Sequence, residues 1–262
     1  MPTDLSPIDR AKFVAAKMAT DYVKTGMKVG LGTGSTAEWL VKCLGEMVRN
    51  EGLRIQGVPT SIRTAQLARD VGINVISLDE AKWLDLTIDG ADEFDGNLNL
   101  IKGGGGALLQ EKIVATASDQ MIVIADVSKQ VEALGSFPLP IEIIPFGRKV
   151  TKTLIEETLI GLDVLGQTTS LRMNGDDPFV TDEGNHILDL HLNRIGNPRQ
   201  ISLLMNQIPG VVENGLFIDI CDTLIIGYGD GKAEVRDINN GAIGEAKFDF
   251  LDVGNLFSDK LN

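Results

Sequence analysis

Short apolar runs alternate with helical patterns along the first half of this chain, and that alternation restricts the fold more than any other feature. Runs at 27–31, 55–58, 75–78, 84–88 and 121–125 have the length and apolar content of buried strands. Helical spacing separates several of them, around 61–71 and 107–118. A first helix is predicted ahead of them all, with Ser6 at the cap, Pro7 at the first helical position and Asp9 in the first turn. Ile8, Ala11, Ala15, Met18 and Tyr22 recur along one of its faces, and Gly26 can end it. Strands and helices in this alternation predict an α/β fold, a mostly parallel sheet with helices on both faces.

The pattern changes after Gly135. Pro138, Pro140 and Pro145 bracket a strand at 141–144. A helix at 149–159, β-rich runs at 168–173 and 179–192, a helix at 198–207 and the pair Val211-Val212 follow. Strand, helix, strand, strand, helix, strand is the order of a split βαβ unit. We expect an α/β domain, carrying any catalysis, from residues 1–134 and 210–262. A ferredoxin-like α+β domain is expected as an insertion at 135–209. Residues 223–227 should return to the first sheet, and the tail from Gly231 is weakly patterned.

With 43% hydrophobic residues over 262 positions, a sizeable core is expected and disorder is not. The formal charge of −13 argues against a nucleic-acid partner and shows no basic stripe. An anionic ligand would have to be held by local lysines and backbone amides against that field. No apolar run approaches the ~20 residues of a membrane helix, and residues 1–10 lack the pattern of a secretory signal. Cys43 and Cys221, far apart, read as free buried thiols of a reducing cytoplasm.

Chemistry concentrates between Asp89 and Glu111. Asp89-Gly-Ala-Asp-Glu93 follows an apolar run directly, and Lys102-Gly-Gly-Gly-Gly106 leads into Ala107-Leu-Leu-Gln-Glu-Lys112. Acids at the end of a strand lie on the sheet's carboxyl edge, where open α/β folds build their sites. A carboxylate can move protons while a lysine stabilises a developing oxyanion. Successive glycines cost roughly 0.5–1 kcal/mol each in ordering entropy relative to alanine, which suggests a backbone that approaches a ligand closely. Set against this, Asp89 and Asp92 could be caps, and Glu111, Lys102 and Lys129 ordinary surface charges.

Gly30-x-Gly32-x-Gly34 after the first strand is a poor dinucleotide fingerprint, since Ser35 stands where the third glycine should be. Two readings remain for this turn: a phosphate cradle at a helix start, or a plain cap and tight turn. His186 and His191 are five apart on a predicted strand, hence on opposite faces, and no metal pair is expected. There is no G-x-S-x-G nucleophile elbow either.

Together these motifs resemble the A-type ribose-5-phosphate isomerases. The resemblance rests on Gly30–Ala37, Asp89–Glu93, Lys102–Lys112 and Ala125–Lys129, with support from Phe137–Glu142, Val180–Asn185 and Ile208–Phe217. It runs from about residue 6 to 230, with roughly 30 residues after Gly231 reading as an extension. It implies interconversion of D-ribose 5-phosphate and D-ribulose 5-phosphate without metal or other cofactor, in a homodimer or homotetramer. It implies Glu111 as the base between C1 and C2, Asp89 as the helper in ring opening with Asp92 nearby, and Lys102 as the enediolate's electrostatic partner. Thr33, Gly34, Ser35, Thr36 and Lys129 would hold substrate and its phosphate, lined by Gly90, Ala91, Gly103, Gly104 and Gly105. Gln110 departs from the pattern, because many relatives carry arginine there. A second class, a sugar-phosphate-sensing binding module, would keep the phosphate loop but need no base at Glu111. A nicotinamide-dependent oxidoreductase is disfavoured by the glycine spacing.

Overall fold

The computed structural model describes residues 5–238 and 241–247. Residues 1–4, 239–240 and 248–262, which include parts of the N-terminal stretch and of the tail discussed above, lie outside the described residues. The chain divides into two compact units.

The first unit comprises residues up to Gly90, Val114–Ser128 and the chain from Cys221. Its sheet holds β1 (Lys28–Leu31), β2 (Gln56–Pro59), β3 (Asn74–Val75), β4 (Leu86–Gly90), β7 (Met121–Asp126), β15 (Thr223–Gly227), β16 (Lys232–Asp237) and β17 (Gly241–Lys247). The order across it is β17-β16-β15-β7-β4-β1-β2-β3. Strands β3 to β15 are parallel, and β16 and β17 add an antiparallel edge. From β1 the chain builds outward through β2 and β3, then returns to lay β4, β7 and β15 on the other side. The order therefore reverses between β1 and β4, and open α/β sheets place their ligand crevice at the carboxyl ends of such a pair.

Local sequence explains the helices of this unit. In α1 (Pro7–Ala19) Ser6 caps by accepting from the Asp9 N–H, and Pro7 occupies the first turn. Helix α2 (Ser35–Glu46) buries Leu40, Val41 and Leu44, and α3 (Ile62–Asp70) is capped by Ser61. Between β3 and β4, α4 (Leu78–Ala81) opens with a Ser77/Glu80 capping box. That box is the reason the strand expected at 75–78 stops at Val75: Ser77 and Glu80 satisfy the start of a helical turn. The alternation Ala233, Val235 buried against half-buried Lys232 and Glu234 makes β16, which the weakly patterned tail concealed.

The second unit comprises Ala91–Ile113 and Lys129–Ile220. It contains β8 (Leu139–Ile143), α6 (Arg148–Leu159), β9 (Thr168–Leu171), β12 (His186–His191), α7 (Pro198–Met205) and β13 (Val211–Asn214). The sheet order β13-β8-β12-β9, antiparallel throughout, is the split βαβ arrangement expected from the sequence. Leu139, Ile141, Ile143, Leu188 and Leu190 pack with Ile155, Leu159 and Ile201 of the two helices. Between the long strands a small hairpin joins β10 (Met173–Asn174) to β11 (Asp177–Pro178). Residues 179–185, expected as strand, form a loop before β12. Its Thr181 and Asn185 hydrogen bond to the buried Glu142 carboxylate, at 2.9 and 3.0 Å, in place of a ladder. A three-stranded sheet, β14 (Leu216–Phe217), β6 (Leu100–Ile101) and β5 (Glu93–Phe94), leads into α5 (Leu108–Thr116). Among the described residues no helix is long and apolar enough to cross a membrane.

Candidate active site

The first unit carries a loop from Gly32 to Thr36 at the carboxyl end of β1 and Asp89-Gly90 at the end of β4. Gly32 has no room for a side chain: a Cβ there would sit 2.1 Å from Asp89 Oδ1 and 2.5 Å from the Asp89 Cα. Gly34 is needed for a different reason, since its φ of +117° is one L residues rarely adopt. It is the cap of α2, which starts at Ser35, so Ser35 and Thr36 present first-turn amides at the positive end of a helix. Asp89, fully buried, accepts at Oδ1 from the Thr33 N–H at 3.0 Å and the Gly90 N–H at 2.7 Å. Thr33 is buried too, its hydroxyl 2.8 Å from both Thr60 Oγ1 and Ser61 Oγ and 3.1 Å from Thr64 Oγ1. Thr64 in turn donates to the Gly32 carbonyl at 3.0 Å. The hydroxyls of Thr60, Ser61 and Thr64 had no role in the sequence reading. The visible signal was Thr60-Ser61 at the carboxyl end of β2, next to β1 in the sheet.

The second unit carries Ala91, Asp92, Lys102, Gly103, Gly104, Gly105, Glu111 and Lys129. Lys102 follows β6 and is anchored by its N–H on the Gly215 carbonyl at 2.9 Å. Its Nζ lies 3.3 Å from Glu111 Oε2, with only 2% and 4% of the two side chains exposed. Glu111 faces Lys102 from the first turn of α5. Phe217 lies beneath both Lys102 and Lys112, whose ammonium nitrogens are 5.4 and 4.9 Å from its ring centroid. Burial holds the Lys112 ammonium below the usual lysine range, opposed by its ion pair with Glu213 at 2.9 Å. Asp92 accepts from the Gly104 N–H at 2.7 Å, which ties the acid to the glycine run. Lys129 ends a single 3₁₀ turn, Val127–Lys129, directly after β7. Gln110 donates to Glu183.

Glu93, quoted with the acidic motif but given no role, is a structural carboxylate. It accepts from the backbone N–H groups of Gly135 and Phe137, and burial lifts it above the ordinary carboxylate range against those two hydrogen bonds. His186 and His191 do occupy opposite faces of β12, where His186 meets Arg148 and His191 meets Ser170. Among the described residues no group of three or more His, Cys, Asp or Glu side chains is arranged to hold a metal ion.

The first unit has an open α/β sheet with a helix-start loop and a buried acid at its switch point, and the second has a buried carboxylate–lysine pair; each is a feature found in the class of enzymes that move protons on small polar molecules. The comparisons give the class a family. The family model described as ribose 5-phosphate isomerase A (phosphoriboisomerase A) matches residues 56–231. The chain is 74% identical over 259 residues to the ribose-5-phosphate isomerase A of Ruegeria sp. (strain TM1040), covering 99% of each chain. It is 40% identical to the solved ribose 5-phosphate isomerase A of Neisseria gonorrhoeae, at a TM-score of 0.77 over 87% of this chain and 96% of that one. A solved D-ribose-5-phosphate isomerase in complex with phospho-erythronic acid is 38% identical, at a TM-score of 0.79 over 93% of this chain and 100% of that one. The chain belongs to the ribose-5-phosphate isomerase A family. The tail after Gly231 lies past the end of the family model, but the 99% coverage shows that the Ruegeria relative shares it.

Proposed function

We infer that the chain interconverts D-ribose 5-phosphate and D-ribulose 5-phosphate, a step of the pentose phosphate pathway. The observation that carries the chemistry is the buried contact of Lys102 Nζ with Glu111 Oε2 at 3.3 Å. Aldose–ketose isomerisation needs one base that takes a proton from C2 and returns it to C1, and positive charge where the enediolate oxygen develops. Glu111 is the base and Lys102 the electrostatic partner. Asp89 assists ring opening and moves protons among the hydroxyl oxygens, with Asp92 three residues further along the chain. Thr33, Gly34, Ser35, Thr36 and Lys129 hold the substrate and its phosphate. Gly90, Ala91, Gly103, Gly104 and Gly105 line its path. The phosphate supplies binding energy remote from the reacting carbons, which orients them. A sensing module would have no use for a base at Glu111, and the relatives' names do not favour it.

The proposal extends to a mechanism without metal or other cofactor, a homodimer or homotetramer, and a cytoplasmic location. It also extends to residues 135–209 as an insertion in the α/β chain, supported by the split sheet that begins at Leu139, whose last strand, Val211–Asn214, lies just past that boundary. The test is to incubate the protein with ribose 5-phosphate in excess chelator and follow ketose formation. Ketose should accumulate to equilibrium. No ketose, with or without added divalent ions, would end the isomerase reading, and rescue by a divalent ion would end its cofactor-free form.

A further inference from the structure

Lys102 and Glu111 are joined by a run that should be the least ordered part of the unit. Gly103 to Gly106 carry no side chains, and each costs roughly 0.5–1 kcal/mol more than alanine to order. Yet the end of this run sets where α5, and with it Glu111, begins. The loop's own contacts are a Gly106 N–H to Gly103 carbonyl turn at 3.0 Å and the Asp92 bond to the Gly104 N–H. A further grip comes from Arg172, just beyond β9. Its Nη1 donates to the Gly103 carbonyl at 2.8 Å and to the Gly104 carbonyl at 3.2 Å.

Arg172 is itself fixed. Its Nε donates to Asp189 Oδ2 at 2.9 Å and its Nη2 to Asp189 Oδ1, a two-point pairing with only 15% and 16% of the side chains exposed. Its backbone N–H bonds to the Ile187 carbonyl at 2.8 Å, and its carbonyl receives the Phe179 N–H at 2.9 Å. The guanidinium lies 6.0 Å from the Phe179 ring centroid. The same ring abuts Gly106, where a Cβ would come within 2.4 Å of it. One planar fork thus reads Asp189 along one edge and two loop carbonyls with a further N–H, a geometry a lysine cannot reproduce.

We propose that Arg172, held by Asp189, is a positioning residue for the isomerisation. It orients the Gly103–Gly104 and Gly104–Gly105 peptides and so fixes the span between Lys102 and Glu111. Peptides are planar and trans, so drawing both carbonyls to one cation turns the Gly104 and Gly105 N–H groups away from it. The Gly104 N–H then meets Asp92. The loop's amides keep one facing because the arginine leaves their carbonyls no other. This inference rests on the roles proposed for Lys102 and Glu111.

The test uses Arg172→Lys, which keeps the charge and loses the fork, and Asp189→Asn, which keeps the shape and loosens the arginine. Arg194→Lys makes the same exchange at the exposed Arg194–Asp163 pair of the same unit and is the control. Misplacing a reacting group by about 1 Å can cost about 100-fold in rate. Arg172→Lys should therefore lower kcat about 10- to 100-fold, with a smaller change in KM, and Asp189→Asn should act in the same direction. Amide exchange across residues 103–106 should speed up in both variants, and the control should match the parent throughout. Unchanged kcat and unchanged loop exchange in Arg172→Lys would overturn the proposal, as would an equal loss of kcat in the control. If Arg172→Lys does not fold, Asp189→Asn decides on the same two readouts. A parent protein inactive on ribose 5-phosphate would refute the functional reading instead, while loop exchange would still report on the clamp.

Discussion

Gly32→Ala perturbs the site by a single methyl group. The new Cβ would lie 2.1 Å from Asp89 Oδ1 and 2.5 Å from Asp89 Cα, where real Cβ contacts essentially never fall below 3.0 Å. The carboxylate would have to retreat by at least 0.9 Å and the β4 backbone by at least 0.5 Å, taking 3.0 Å less each distance. The carboxylate can rotate, but it already accepts from the Thr33 and Gly90 N–H groups, and β4 is paired on both sides. Overpacking of this kind costs typically about 1–3 kcal/mol. For a chain of this size each kcal/mol moves Tm by roughly 2–4 °C, so a fall of about 2 to 12 °C is expected. Because Asp89 is displaced, kcat should fall by more than the folded fraction explains, toward the about 100-fold that a 1 Å shift can cost. Thermal melts alongside steady-state assays at a temperature where both proteins are folded measure the two effects. A Gly32→Ala protein with parental Tm and kcat would refute the explanation of that glycine.

Lys129→Ala should raise KM for ribose 5-phosphate with a smaller loss in kcat, and unphosphorylated ribose should be a very poor substrate for the parent; equal activity on both sugars contradicts the phosphate assignment. Lys102→Met should destabilise the fold by about 3–5 kcal/mol by removing the buried partner of a carboxylate, and adding Glu111→Gln should restore part of that in denaturant titrations; additive losses would show that the two do not act as a pair. Burial above all, with Glu183 and Glu213 assisting and the Asn185 and Thr181 bonds opposing, lifts the Glu142 carboxyl above its unfolded value of 4.5. Its contribution is then fully present below that value and lost as pH rises through the folded one. Glu142→Gln should therefore gain Tm relative to the parent between pH 5 and pH 8, and a difference that does not change with pH contradicts this.

The parallel sheet was legible because its central strands are buried and read as short, mainly apolar runs, unbroken at 121–125. The split βαβ order was legible for a related reason: prolines and helical spacing punctuate it. The edge was not, since β16 buries only Ala233 and Val235 beneath charged neighbours. Residues 179–185 carry strand-like composition, but Glu142 and Thr181 organise them as a loop through contacts 39 residues apart in the chain. In the candidate site, the glycines, acids and lysines announced themselves because each type has few other uses in such a cluster. What the sequence hid was their support. Thr60, Ser61 and Thr64 around Thr33, Phe217 under Lys102 and Arg172 on the glycine loop are common residues whose meaning lies in tertiary neighbours.

The role of Glu111 is tested most directly by exchange of the substrate's C2 hydrogen with solvent deuterium, followed by NMR, in the parent and in Glu111→Gln. The substitution keeps size and hydrogen bonding and removes the proton acceptor, whose general-base contribution is typically about 10²–10⁴-fold. The parent should exchange the C2 hydrogen as it turns over, and folded Glu111→Gln should bind ribose 5-phosphate with little change in affinity while losing both exchange and turnover by at least that order. A folded Glu111→Gln protein that exchanges C2 hydrogen at near-parental rate would contradict the assignment and move the base elsewhere, to Asp89 first.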